Sequence, residues 1–245
     1  MYKSNGQKWV CTFDEEFSGA SLDRNKWMIQ TTNQFGFKSG NECMVNSPYT
    51  VSVYGGKLNL TVRKASGPFV CTSPKGSFVT NYAGGSVYTK AFAQRYGRFE
   101  VRAKFAQSNG ISGVQGALWL FPNSRNAAGT LTGPTEIDIA EAYSVHPDHV
   151  IPTVHTFSAL VNYYKACEVP NYGSAFHTYA VEWTYKKITF YYDNDECYHI
   201  ATNTSGAVSP FLVALSQAMG VKPNAPTAST PVPARLQVDY VRVWA

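Results

Sequence analysis

Three carboxylates, Glu136, Asp138 and Glu141, fall within six residues of the segment Pro134-Thr135-Glu136-Ile137-Asp138-Ile139-Ala140-Glu141-Ala142-Tyr143. Glu and Asp are poor strand formers, and a buried carboxylate is costly without a partner. Acids interleaved with Ile therefore point to a strand with one acidic face and a core face of Ile137 and Ile139. Such a set suits double displacement at an anomeric carbon. One glutamate attacks as the ionised nucleophile, while the other gives a proton to the leaving oxygen and then takes one from water. Clustered like charges favour retention of a proton, so titration belongs to the trio rather than to single residues. Asp138 is placed to hydrogen-bond the nucleophile. The bland alternatives are a calcium cluster or a solvated acidic edge. Calcium sets usually draw on Asn, Asp and Gly in a loop, which this segment does not resemble.

Strand geometry adds a condition. Side chains alternate along a strand, so Glu136 and Asp138 share a face and Glu141, five positions on, would point away. One extra residue near Ile139 or Ala140, a β-bulge, restores the phase. The glutamates are then about four strand steps apart, roughly 13 Å between Cα atoms. Side chains leaning inward would bring the carboxyls to about 5–5.5 Å, the spacing of a retaining glycosidase.

The rest of the chain reads as strands able to carry this segment. Leu58, Leu60 and Val62 alternate with polar residues, as do Phe99, Val101, Ala103 and Phe105, and Ile188, Phe190 and Tyr192. Period two means half-buried strands. Turns carry Gly, Asn, Pro and Ser, and only Ser21 to Trp27 looks helical. Many strands and almost no helix indicate an all-β, jelly-roll sandwich of two antiparallel sheets. The proline-rich stretch Met219 to Ala234 reads as a loop. With no repeat or linker, residues 1–245 are expected to form one domain.

Composition agrees. Of 245 residues, 44% are hydrophobic, enough for a sizeable core, and 14% are aromatic, which suits strands and surfaces that stack on flat ligand faces. The net charge of +5 is dispersed, and no Lys/Arg run marks a nucleic-acid partner. No apolar run is long enough to span a membrane. Five cysteines lack any CxxC pair, which speaks against zinc. Cys43 with Cys71 and Cys167 with Cys197 are the expected disulfides, both in polar loop-like surroundings, and Cys11 is expected to be a buried free thiol. Disulfides imply a secreted or extracellular protein, and the polar start is read as a mature form behind an added Met1.

Glu136-Ile-Asp138-Ile-Ala-Glu141 resembles the ExDxxE signature of glycoside hydrolase family 16, in its laminarinase-like form. The resemblance extends over nearly the whole chain: Phe13-Asp14-Glu15-Glu16-Phe17-Ser18-Gly19, Asn41-Glu42, Tyr96-Gly97-Arg98-Phe99-Glu100, Gly116-Ala117-Leu118-Trp119, Phe176-His177-Thr178-Tyr179 and Val238-Asp239-Tyr240-Val241-Arg242 are all similar to ordered family motifs. It implies a concave substrate cleft and a retaining endo-mechanism, with Glu136 as nucleophile, Asp138 as its orienting partner and Glu141 as acid/base. It also implies Trp119 as a sugar platform, although a strand Trp is more often core. His155 is implied near the acid/base, although alone it reads as a core histidine. Asn41 and Glu42 are implied to bind sugar hydroxyls. His177, Glu182 and Trp183 read as structural.

Catalysis is expected to need no cofactor. A structural calcium on the convex face is implied at Glu16 and Asp239, with a surface hydrogen bond as the equal alternative. Two positions depart from the family pattern. Gln115 stands where a Trp is usual, and Ser86 where an Arg is common. Both fall among subsites that read the sugar. The expected protein is a monomeric endo-hydrolase of β-1,3- or mixed β-1,3/1,4-glucan, with a polysaccharide as its only partner. The rivals are a β-galactan hydrolase, a transglycosylase and a non-catalytic lectin-like module.

Overall fold

The computed structural model describes residues 3, 6–123, 134–156, 162–202 and 209–245. One sheet joins β2 (Trp27–Ile29), β6 (Phe78–Thr89), β16 (Phe211–Met219), β8 (Val114–Pro122), β9 (Pro134–Tyr143), β10 (His149–Thr156) and β11 (Asn162–Tyr164) in that spatial order. The other runs from β17 (Ala234–Trp244) through β7 (Gly97–Lys104), β13 (His177–Trp183) and β14 (Lys187–Tyr192) to β15 (Asp195–Ala201). The far edge of β17 pairs first with β5 (Lys57–Cys71) and then with β1 (Cys11–Glu15), and β4 (Val51–Tyr54) adds to β5. Beyond Arg63, β5 crosses over to pair with β6 and so links the two sheets. These pairings are antiparallel. β3 (Cys43–Met44) lies parallel to β6, and β12 (Cys167–Glu168) closes against β10. The result is the all-β jelly-roll sandwich with a concave face.

Alternating side chains fill the space between the sheets. Leu58, Phe99, Val101, Leu118, Ile137, Val181, Trp183, Phe190, Val213 and Val241 are all essentially inaccessible in one core. Burial of one such large side chain contributes roughly 1.5–3 kcal/mol. On β7 the outward residues are not simply solvated: Arg98 is buried and pairs with Glu100 at 2.8 Å and Glu182 at 3.1 Å. The Cys43–Cys71 and Cys167–Cys197 disulfides both form. The stretch between Met219 and Ala234 is the expected loop.

Two expectations are corrected. Ser21 to Trp27 is not helical. Asp23 closes a single turn, accepting from the Asn25 amide through its side chain and from the Trp27 amide through its carbonyl. Trp27 then enters β2, because its buried ring packs on Phe13 and Phe17 and its indole N–H donates to Glu15. The α-helical segment described is α1 (Thr32–Phe35). Cys11 is free but exposed. The β1–β17 register slips between Cys11 and Phe13, so the thiol leaves the core face that Phe13 and Glu15 occupy.

Candidate active site

The acidic strand β9 carries the anticipated bulge. Against β8, Leu118 pairs with Ala140 and Trp119 with Asp138, which leaves Ile139 as the extra residue. Against β10, Ile151 pairs with Glu141 and Thr153 with Asp138, the same slip. Ile139 and Ala140 are both fully buried, so the extra residue is taken up inside the sandwich. Glu136, Asp138 and Glu141 thereby share one face with Ala117, Trp119, Thr153 and His155.

The bulge has its own buried support. The Tyr192 hydroxyl, reaching across from β14, donates to the Ile139 carbonyl at 2.8 Å. Sequence reading missed this contact because strand periodicity marks Tyr192 only as a core residue. Tyr192→Phe should leave a buried carbonyl unpaired, costing about 1–3 kcal/mol. If a relaxed bulge misplaces Glu141, kcat should fall roughly tenfold with KM within about twofold, since positioning errors of this kind act on the transition state. Thermal melts and Michaelis kinetics on the same variant check both.

Asp138 is deeply buried and hydrogen-bonds His155 Nε2 at 2.9 Å, and the same nitrogen lies 3.8 Å from Glu136. Polar atoms of Glu136, Asp138 and His155 lie within 4.8 Å of one another. His155 is therefore part of the cluster and not a core histidine. Burial, reinforced by the neighbouring Asp138 charge and opposed by His155, pushes Glu136 up to about 8. Burial and the nearby Glu141 charge hold Asp138 well above the ordinary carboxylate range. Burial also raises Glu141, against hydrogen bonds from Tyr143 and Gln115 that favour its ionised form. Burial and mutual charge thus raise all three carboxyls above the ordinary carboxylate range, so the cluster resists full ionisation. One ionised and one protonated member is the state double displacement requires.

The other expected site residues divide. Trp119 lies beside Asp138 on the acidic face, yet only 8% of it is exposed. Phe37 stacks on it, with centroids 5.5 Å apart at 22°, and Phe121 leans against it at 5.0 Å. Trp119 is thus covered in part by Phe37, a contact strand patterning could not reveal because Phe37 arrives from a loop. Gln115 donates to Glu141 at 2.7 Å, as does Tyr143 at 2.8 Å. Ser86 faces Gln30 and the Leu215 carbonyl. Asn41 is exposed, with its carbonyl accepting from Thr80.

Glu42 is corrected: it is fully buried and cannot meet a sugar. Its carboxylate accepts the backbone N–H groups of Ser39 at 2.7 Å, Gly40 at 3.0 Å and Met219 at 3.0 Å. Burial pushes its pKa up and those N–H groups oppose the rise. Glu16 and Asp239 are likewise taken up: Glu16 pairs with Arg242 at 2.6 Å, and Asp239 pairs with Arg102 at 2.5 Å. Arg242 also reaches Asp14 at 3.5 Å, so both expected calcium ligands stand in surface ion pairs, the alternative to a metal site.

A two-sheet sandwich with an acidic trio, a histidine and aromatic rings on its concave face defines a carbohydrate-active domain. A family model described as "Beta-porphyranase A-D, GH16 domain" matches residues 8–245. The chain belongs to glycoside hydrolase family 16. It is similar to glucan endo-1,3-beta-glucosidase A1 of Niallia circulans, with 30% identity over 95% of this chain and 37% of that protein. It is also similar to endo-1,3-1,4-beta-glycanase EglC of Rhizobium meliloti (32%; 93% and 45%) and to keratan-sulfate endo-1,4-beta-galactosidase of Sphingobacterium multivorum (30%; 94% and 54%). The chain therefore spans about half or less of the length of these relatives. Among solved structures, the laminarinase from Rhodothermus marinus superimposes with a TM-score of 0.78 at 26% identity, covering 97% of each chain.

Proposed function

We propose that residues 1–245 act as one retaining, endo-acting glycoside hydrolase domain on a β-linked polysaccharide, with no cofactor in catalysis. Glu136 is the nucleophile, Asp138 with His155 orients and tunes it, and Glu141 is the acid/base. The observation that carries this reading is the Ile139 bulge, which puts all three carboxyls on one face. Phe37 and Trp119 offer stacked rings to the axial C–H groups of a sugar beside them.

The leading substrate is β-1,3- or mixed β-1,3/1,4-glucan, supported by the names of the Niallia and Rhizobium relatives. The second reading is a β-galactan, favoured by the description of the matching family model and by the Sphingobacterium relative. A reducing-sugar assay over laminarin, lichenan, curdlan, agarose, porphyran and arabinogalactan separates them. Proton NMR of the first products should show the β-anomer. A first product of the α-configuration, or silence on every polymer, sinks the mechanism. Export is supported by the two disulfides. Among the described residues no helix is long and apolar enough to cross a membrane.

A further inference from the structure

Glu141 is held from one side. Gln115 Nε2 and the Tyr143 hydroxyl both donate to the same oxygen, Oε1. The amide of Gln115 is itself held at its other end, where the Ser39 hydroxyl donates to Oε1 of the glutamine. Ser39 sits in the loop 36–42, and its amide is one of the three gathered by the buried Glu42 carboxylate. That loop lies hard against β16, since a Cβ on Gly40 would come 2.6 Å from the Met219 carbonyl. A continuous chain of contacts therefore runs from β16 through Glu42, Ser39 and Gln115 to Glu141.

We propose that Gln115, fixed by Ser39, is a positioning residue that reserves Oε1 of Glu141 and so assigns Oε2 as the oxygen that exchanges the catalytic proton. The proposal rests on the reading of Glu141 as acid/base. An oxygen that already accepts two hydrogen bonds is the poorer place for a proton, because a proton there would face two donors. The carboxyl is then presented with its reactive oxygen away from β8. The glycosidic oxygen takes the proton from Oε2 as its bond to the anomeric carbon breaks, and Oε2 later takes one from water.

The titratable groups facing Glu141 are Asp138, Glu136 and Tyr143 on its own strand, His155 on β10 and Tyr192 on β14. From β8 comes the neutral Gln115. Donation to a carboxylate favours its ionised form. Losing that donation should therefore move the Glu141 titration to higher pH.

The test uses Gln115→Leu, Ser39→Ala and Ser39→Thr in the whole protein. Gln115→Leu should shift the basic limb of kcat/KM upward by roughly one pH unit and lower kcat more than it changes KM. Ser39→Ala should shift it the same way by less, and Ser39→Thr, which keeps the hydroxyl, should restore the original profile. The Glu141 carboxyl resonance in 13C-labelled protein should move in step, and this readout needs no substrate. If Gln115 only binds sugar, KM rises while both the limb and the resonance stay in place. That result overturns the proposal. A parent protein inactive on every polymer would instead overturn the acid/base reading, and the resonance would still decide whether Gln115 and Ser39 control Glu141.

Discussion

Glu136→Gln is expected to lower kcat by about 10⁴-fold or more while polysaccharide affinity stays within roughly threefold. The nucleophile supplies a bond that exists only beyond the ground state, so its loss falls on turnover. Isothermal titration against an uncleaved oligosaccharide, beside a reducing-sugar assay, separates the two effects. A lectin-like domain would be indifferent in both.

The same variant should be more stable than its parent at alkaline pH. Glu136 titrates near 8 in the folded protein, above its ordinary value of 4.5. The folded state thus holds a proton that the unfolded chain releases. The resulting stability is complete below about pH 4.5 and is lost as pH rises through about 8. Gln has no proton to lose. The Glu136 side chain is 38% exposed, so solvent screening reduces the effect to about 1–2 kcal/mol, or a few degrees in Tm above pH 8. Melting curves at pH 4.5 and 8.5 should show the gap opening at the higher pH. An equal gap at both would place the strain elsewhere.

The second large effect belongs to Glu42. Glu42→Ala removes the acceptor of three backbone N–H groups around a fully buried carboxylate. Each orphaned donor costs about 1–3 kcal/mol. A total near 3–5 kcal/mol, or roughly 8–15 °C in Tm, is expected for a domain of this size. Glu42→Gln keeps one oxygen and should fall between. Activity should drop in both variants through kcat, because Ser39 and Phe37 ride on the same loop. A rise in KM alone, with Tm unchanged, would return Glu42 to the sugar-binding role that its motif suggested.

The contrast between these two glutamates shows what could be read from the chain. The acidic strand was legible because alternation makes a parity conflict between Asp138 and Glu141, and one bulge resolves it. The disulfides were legible because four cysteines have polar sequence neighbours and one sits in an apolar run, although Cys167 itself packs into the core. That apolar run misled about Cys11, since a register slip on an edge strand leaves no mark in residue types. Glu42 was opaque because its partners are main-chain amides, which every sequence contains. Phe37, Tyr143 and Tyr192 were opaque because their contacts depend on how a loop, a strand end and the opposite sheet come together. Likewise Glu16 and Asp239 looked available for a cation until Arg242 and Arg102 were found beside them.

Cys43 follows Glu42 directly in the chain and is bonded to Cys71. One short stretch is therefore fastened twice, by amide donors gathered on a carboxylate and by sulfur. A thiol-rich medium would undo only the second fastening. The strands around Val101 and Val241 would keep their packing, while the loop that carries Ser39 and Phe37 would rest on a single anchor. Oxidising surroundings would then govern how firmly Ser39 holds Gln115 more than whether the sandwich assembles.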